Sequence, residues 1–198
     1  MANPVLDPLT GRSLEYRHLI THNNPETRRI WANAFCNELG RLVQGYKQQV
    51  TGTDCIDFIE FHQIPKNKRA TYARIVSEIR PQKKSEPHRV QITVGGNLIH
   101  YPYDKSQPTA DLPTIKLHIN STISTPNAKY ACLDIKNMYL MSIMDDAEYM
   151  FIEAALIPQE FLDAYNLNNK IHNSKVYMKI KRGMYGLPQA GKLAYDKL

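Results

Sequence analysis

The chain has no apolar run close to the roughly 20 residues that a membrane helix needs. Its first residues also lack the basic and then apolar order of a secretory signal. Only 9 of its 198 residues are glycine, and it contains no low-complexity tract, which argues against a disordered chain. We therefore expect a globular protein with no membrane partner.

Cysteine is also scarce. Cys36, Cys55 and Cys132 are odd in number, lie far apart and stand in apolar surroundings. This pattern predicts buried free thiols in a reducing, intracellular compartment, and it argues against a disulfide framework or a zinc site.

Acidic residues are few between positions 64 and 96. This window holds eight lysines and arginines against two glutamates, which accounts for the whole net charge of +6. A clustered basic stretch is typical of a protein that binds nucleic acid or nucleotide phosphate. A solvated strand pair whose edges carry lysine and arginine is the alternative, and charge alone does not separate the two.

Periodicity predicts an α+β chain: an extended lead-in over residues 1–24, then one domain over residues 25–198. Asn24 and Pro25 form a helix start, and Trp31, Phe35 and Leu39 follow at helical spacing. Further helices are predicted at 111–123, at 158–167 and from 188 to the last residue. Strands are predicted at 55–61, 71–80, 88–94, 130–135, 148–154 and 176–182, with a hairpin over 71–94.

Asp134 ends the predicted apolar strand 130–135. A carboxylate at such a position is costly unless it is solvated, paired or bound to a metal, and Mg²⁺ prefers carboxylate oxygens. A plain strand-end aspartate that caps the next turn, with Lys136 as its partner, is the other interpretation. These residues alone leave both open.

Several segments, in order, resemble the reverse transcriptases of copia-type long-terminal-repeat retrotransposons. They are HRVQITVGG at 88–96, DIKNMYL at 134–140 and RGMYGLPQAGKLAYDKL at 182–198. The helix with W..AFCNELGRL and the strand IDFIEFHQIP extend the likeness back to about residue 27. Met138 departs from the small residue more usual at that place in the family.

The resemblance implies the fingers (25–129) and partial palm (130–198) of a right-hand polymerase, truncated before the second catalytic carboxylate motif. Asp134 would be the first of three metal-binding carboxylates, and the backbone carbonyl of Ile135 would be a further ligand. Two Mg²⁺ or Mn²⁺ ions would serve in the intact enzyme, where a primer 3′-hydroxyl attacks the α-phosphate of a deoxynucleotide.

The resemblance also implies residues that contact the deoxynucleoside triphosphate. Arg89 would grip the triphosphate, and Arg80 or Lys83 would reach it from the preceding strand or the tip, because one extra residue blurs the register. Tyr139 would lie under the sugar and disfavour a 2′-hydroxyl, and Gln189 would touch the nucleotide. Arginine suits such contacts because its guanidinium binds phosphate in a bidentate way.

The remaining basic residues of the window are expected to bind an RNA or DNA template-primer. They are Lys66, Lys68, Arg69, Arg74 and Lys84. Other expected partners are the missing C-terminal palm, the thumb and an RNase H region. The family works in a cytoplasmic particle or the nucleus, as part of a retrotransposon polyprotein that also serves DNA integration.

Asp145 and Asp146 form a doublet, but they precede Gln189 by more than forty residues, whereas the family's catalytic doublet follows that glutamine. We interpret them as a solvated acidic turn, and a catalytic role with a hairpin that brings Asp145 near Asp134 is the alternative. No doublet follows Gln189, so the 198-residue chain is expected to be inactive alone and prone to self-association at its exposed edge. The alternative function is a nonenzymatic, basic nucleic-acid-binding remnant.

Overall fold

A computed structural model describes residues 4–7 and 9–198, so residues 1–3 and 8 of the predicted lead-in lie outside it. The helices are α1 (Tyr16–Ile20), α2 (Pro25–Leu42), α3 (Leu112–Ser124), α4 (Gln159–Ala164) and α5 (Ala190–Tyr195). The strands are β1 (Gly45–Tyr46), β2 (Val50–Thr51), β3 (Ile56–Ile59), β4 (Thr71–Ile79), β5 (His88–Val94), β6 (Ile143–Glu153) and β7 (Lys175–Arg182). The predicted α+β class is confirmed.

The main sheet has the strand order β3-β7-β6-β4-β5. Its neighbours are antiparallel except β4 and β6, which pair in parallel at Thr71 and Met150. Strands β4 and β5 form the predicted hairpin, in which Glu78 lies opposite Arg89. This register sets the charged groups of the two strands side by side.

Helix α2 packs against β5 and forms the centre of the core. Its start is as predicted, because the Asn24 side chain accepts a hydrogen bond of 2.8 Å from the Glu26 backbone and Pro25 follows the cap. The predicted apolar stripe is buried, as are the alternate residues of β5. These residues are Trp31, Phe35, Leu39, Leu42, Val90, Ile92 and Val94. Local periodicity therefore identified both partners of this contact.

The lead-in is not extended throughout. Residues 16–20 form α1, and Tyr16 and Leu19 are buried in the same core as α2. The Tyr16 ring stacks on Phe35 with 4.8 Å between centroids. Five residues are too few to show a helical period, so this helix depends on its tertiary contacts.

The segment 112–135 differs most from the expectation. Helix α3 begins at the predicted cap, since Asp111 accepts a hydrogen bond of 2.8 Å from the Thr114 backbone, but the helix buries no residue. The strand predicted at 130–135 does not form, and the Leu133 side chain is 88% exposed. A strand needs a neighbour for its backbone hydrogen bonds, and no strand among residues 4–7 and 9–198 pairs with this segment.

The strand predicted at 148–154 is present as part of β6, but its partners are β7 and β4, not residues 130–135. Asp145 and Asp146 are solvent-exposed as predicted, yet they lie inside β6 and not in a turn. The pairing with β7 shifts register between Ile143 and Glu148, which accommodates the doublet as an irregularity of the strand. The last helix ends at Tyr195, before the predicted end at residue 198.

Cys36 and Cys55 are buried free thiols, as predicted, and burial raises the pKa of each to about 12. Cys132 is free but exposed, because the strand expected to bury it is not formed. Of the helices in the described part of the chain, none is both long and apolar enough to cross a membrane.

Candidate functional site

The segment after β7 is anchored to the end of β5. The Val94 backbone donates a hydrogen bond of 2.8 Å to the Tyr185 carbonyl. Gly186 has φ +94°, and a side chain there would collide with the Val94 backbone, so only glycine allows this close approach. A side chain on Gly96 would likewise collide with the Gly186 carbonyl. These contacts hold residues 183–189 against the base of the β4–β5 hairpin.

Tyr139 is held against the same segment. It begins a 3-10 turn, Tyr139–Met141. Ser142 follows this turn, and its backbone carbonyl accepts a hydrogen bond of 2.7 Å from the Gly183 backbone. The half-buried Tyr139 ring meets the Tyr185 ring edge to face, with 5.2 Å between centroids and an interplanar angle of 73°. Tyr139 therefore has a defined position beside the glycine-rich segment.

Gln189 directly precedes α5, and α5 packs against the turn that contains Tyr139. The Gln189 side chain is only 4% exposed, and its Oε1 atom has no hydrogen-bond partner among the described residues. A buried acceptor without a donor costs about 1–3 kcal/mol. A ligand that donated a hydrogen bond to this oxygen would remove that cost.

Asp134 lies exposed on the segment between α3 and the Tyr139 turn. No ion pair with Lys136 is present within the described residues, so the predicted capping pair does not form. The pKa of Tyr185 is raised, first by burial and then by the electrostatic influence of Glu38 and of other nearby groups that include Asp134. The structure thus brings Tyr139 and the Gln189 segment together around Tyr185, and it leaves Asp134 exposed on the segment that leads into the Tyr139 turn.

The described residues alone do not fit a metal centre. They contain no group of three histidine, cysteine, aspartate or glutamate side chains that could hold an ion. Asp134 and the exposed Ile135 offer one carboxylate and one carbonyl, whereas a two-metal site needs several converging oxygens. No catalytic step through a metal follows from these residues.

The β4–β5 hairpin brings Arg80 and Arg89 together. Both guanidinium groups contact the Glu78 carboxylate, with 2.6 Å from Arg80 Nε and 3.2 Å from Arg89 Nη1 to Oε1. Lys83 is exposed in the loop between the strands and has no ion pair among the described residues. Of the two alternatives for the second basic residue, Arg80 is the one beside Arg89.

The other basic residues of the window divide into two groups. Four are exposed and lack an ion pair within the described part of the chain: Lys66, Arg69, Arg74 and Lys84. Lys68 is different, because its side chain is only 17% exposed and its Nζ lies 2.6 Å from Asp146 and 3.1 Å from Glu148. The charge of Lys68 is therefore used inside the fold.

Glu78 and Tyr185 are site residues that sequence reasoning missed. The predicted strands 71–80 and 88–94 would set Ile79 opposite Arg89, whereas the observed register is shifted by one residue and sets Glu78 there. Tyr185 lies within the quoted 182–198 segment, but its role depends on contacts with Val94 and Tyr139 that are distant in sequence.

No family model, curated protein or solved structure matches the chain. Arg80 and Arg89 share Glu78 near the loop of the hairpin, and such a pair suits an anion. The Tyr139 and Tyr185 rings and the buried Gln189 oxygen lie in the segment held at the hairpin base, and they suit a ring with a hydrogen-bond donor. The described contacts do not join these two groups of residues.

Proposed function

We propose that the chain is the nucleotide-binding part of an intracellular reverse transcriptase, comprising fingers and partial palm and belonging to the copia type. The observation that carries the proposal is the neighbourhood around Tyr185. Two segments singled out by the sequence resemblance support it, because Tyr139 packs on Tyr185 and α5, which follows Gln189, packs against the Tyr139 turn.

In this proposal the deoxynucleoside triphosphate is bound by residues of the hairpin and of the Tyr185 neighbourhood. Arg89 and Arg80 neutralise the triphosphate, because guanidinium groups make charge-assisted hydrogen bonds to phosphate. Tyr139 contacts the sugar and selects against a 2′-hydroxyl, and the Gln189 amide accepts a hydrogen bond from the nucleotide. Glu78 contacts both arginines, so the triphosphate would compete with this carboxylate for them.

The intact enzyme would use Mg²⁺ or Mn²⁺ for nucleotidyl transfer on an RNA or DNA template-primer. Asp134 and the Ile135 carbonyl are the ligands that this chain contributes. The other carboxylates would be supplied by the further palm segment that the family resemblance implies, because the described residues contain no group of three such ligands.

Nucleotide binding by the 198-residue chain tests the proposal. We expect calorimetry to show that Arg89→Ala weakens binding of deoxythymidine triphosphate about tenfold, the usual effect of losing a charge-assisted hydrogen bond. Tyr139→Ala should reduce the preference for the deoxynucleotide over uridine triphosphate. Arg29→Ala is the control, because Arg29 is exposed on α2 and paired with Glu26. Equal affinities of the Arg89 variant and the unaltered chain would contradict the proposal.

The second candidate is a nonenzymatic module that binds nucleic acid through its basic window. The exposed lysines and arginines of this window favour it. Such a module should lose salt-dependent affinity for oligonucleotides when Arg80, Lys83 and Arg89 are neutralised, yet be unaffected by Asp134→Asn. It should also show no preference for triphosphates with a deoxyribose, which separates it from the polymerase.

A further inference from the structure

A groove of about 570 Å³ lies on the second face of the sheet. On β7, Val176 and Met178 point into the main core, and Tyr177 between them points to this other face. The loop that follows β3, residues 60–70, forms one wall. The volume is within the range of sites that hold small ligands, which is about 300–1,000 Å³.

Aromatic rings line this groove. Phe151 of β6 and Tyr177 of β7 are direct neighbours across the two strands, with 6.0 Å between ring centroids. Phe61 lies 5.1 Å from Tyr177 and is 47% exposed. The His172 ring already stacks on Phe61, with centroids 4.5 Å apart and an interplanar angle of 6°. His172 therefore occupies one stacking face of Phe61, and a base stacked on that face would take the place of the imidazole.

Cations surround these rings. Lys66 and Arg69 are exposed in the 60–70 loop and have no ion pair in the described part of the chain. Lys175 enters from the sheet, with its Nζ 4.2 Å from the Phe151 ring centroid. None of the described residues that line the groove is acidic.

Three carboxylates stand near the groove lysines. Asp146 and Glu148 are bound by Lys68, and Glu153 is 3.9 Å from Lys175 Nζ. Glu153 therefore competes with a bound anion for Lys175, although its contact is at the limit of ion-pair distance. Asp146 and Glu148 compete only for Lys68. Lys66 and Arg69 remain available to a bound anion.

We propose that this groove binds an unpaired stretch of RNA or DNA, with a base stacked on Phe61 and phosphates at Lys66, Arg69 and Lys175. Aromatic platforms flanked by cations suit single strands, because every base has a stacking face and every nucleotide has a phosphate. An acidic peptide would use the cations but not the rings. The inference rests on the proposed function for its class of partner, but the groove is separate from Arg89 and Gln189.

The test is fluorescence anisotropy of labelled oligothymidylate and oligouridylate, each of about 12 nucleotides, with the full 198-residue chain. Phe61→Leu keeps an apolar side chain but removes the stacking ring, and we expect it to weaken binding about tenfold. Phe61→Tyr should restore the affinity. Lys66→Ala combined with Arg69→Ala should reduce the slope of log affinity against log salt by about 1.4, since each phosphate contact to a single strand contributes about 0.7.

Matched controls lie outside the groove. Tyr103→Leu removes a ring that is 72% exposed elsewhere, and Arg29→Ala removes an exposed arginine of α2. Both should bind oligonucleotides like the unaltered chain. Thermal melting followed by circular dichroism verifies that each variant is folded, which is expected because Phe61 is half exposed.

Equal binding by the Phe61→Leu variant and the unaltered chain would overturn the groove proposal without affecting the nucleotide site. Competition by oligoglutamate with equal strength, together with no effect of Phe61→Leu, would also overturn it and assign the groove to acidic peptides. If Phe61→Leu weakens the binding of one of the two oligonucleotides more than the other, the result supports the groove and shows whether it prefers RNA or DNA. Oligonucleotide binding that depends on Phe61, in a chain without triphosphate binding at Arg89, would retain the groove and reject the proposed polymerase.

Discussion

Glu38 is a buried carboxylate on α2 whose ionisation should affect stability. Glu38 is 4% exposed, and its Oε2 lies 2.5 Å from Arg41 Nη1. The other terminal nitrogen of Arg41, Nη2, lies 3.2 Å from Glu86 Oε1. Burial raises the pKa of Glu38 above its ordinary value of 4.5, and the attraction of Arg41 offsets this only in part. The folded chain thus holds a proton at a pH where the unfolded chain has released it.

The sign of the pH dependence follows from this raised pKa. The contribution of Glu38 to stability is fully present below the unfolded-state pKa and is lost as pH rises through the folded-state pKa. We therefore expect Glu38→Gln to gain unfolding free energy relative to the unaltered chain as pH rises above the ordinary pKa of 4.5, in urea titrations at each pH. Glu26→Gln should change in the opposite direction, because a hydrogen bond from Arg29 lowers the pKa of Glu26. The same trend in both variants would contradict this account.

Lys68 and Lys66 are neighbours in sequence but should differ in their effect on stability. Lys68→Ala leaves Glu148, which is 8% exposed, without its cation, so we expect the unfolding free energy to fall by about 2 kcal/mol. Lys66→Ala removes an exposed side chain and should change it by less than about 0.5 kcal/mol. Urea denaturation of both variants measures the difference, and similar values for the two would show that the Lys68 pairs are not structural.

Helix α3 is the element with the weakest tertiary support. It spans 13 residues, and none of them is buried. An isolated helix of about 12–15 residues is marginal in water, because most helix stability in proteins comes from packing. The cap at Asp111 satisfies one terminal group but does not replace a buried face.

Hydrogen exchange should reveal this difference between helices. We expect the amides of residues 112–124 to exchange much faster than those of α2, which is buried along its apolar stripe. Mass spectrometry of peptides from the two segments provides the comparison. Protection of α3 equal to that of α2 would mean that the helix has a partner surface in solution.

For the whole molecule, exposed apolar side chains between residues 112 and 135 predict self-association. Ile123 and Leu133 are 78% and 88% exposed. Such surface favours association when several apolar side chains are contiguous. We expect the sedimentation coefficient of the chain to increase with concentration, and Ile123→Ser combined with Leu133→Ser to reduce that increase.

Leu9→Ser is the control for this experiment, because Leu9 is 94% exposed but lies near the N-terminus, outside the apolar segment. It should associate like the unaltered chain. A sedimentation coefficient that is independent of concentration would contradict the prediction of self-association.

The sequence by itself determined the elements whose signals are local. The cap and stripe of α2, the alternation of β5 and the charged loop of the hairpin all depend on residues within a few positions of one another. The α+β class and most strand positions were predictable for this reason. The pairing of Arg89 with Glu78 was not among them, because the predicted strand bounds set Ile79 opposite Arg89.

The tertiary structure decided which of these elements found a partner. An apolar run becomes a buried strand only if a neighbour supplies hydrogen bonds, so residues 130–135 stay exposed while 148–153 enter the sheet. The groove joins Phe61 to Tyr177, and the Tyr185 neighbourhood joins Val94 to Tyr139, across long stretches of chain. Such contacts depend on strand order and packing, which local periodicity does not encode.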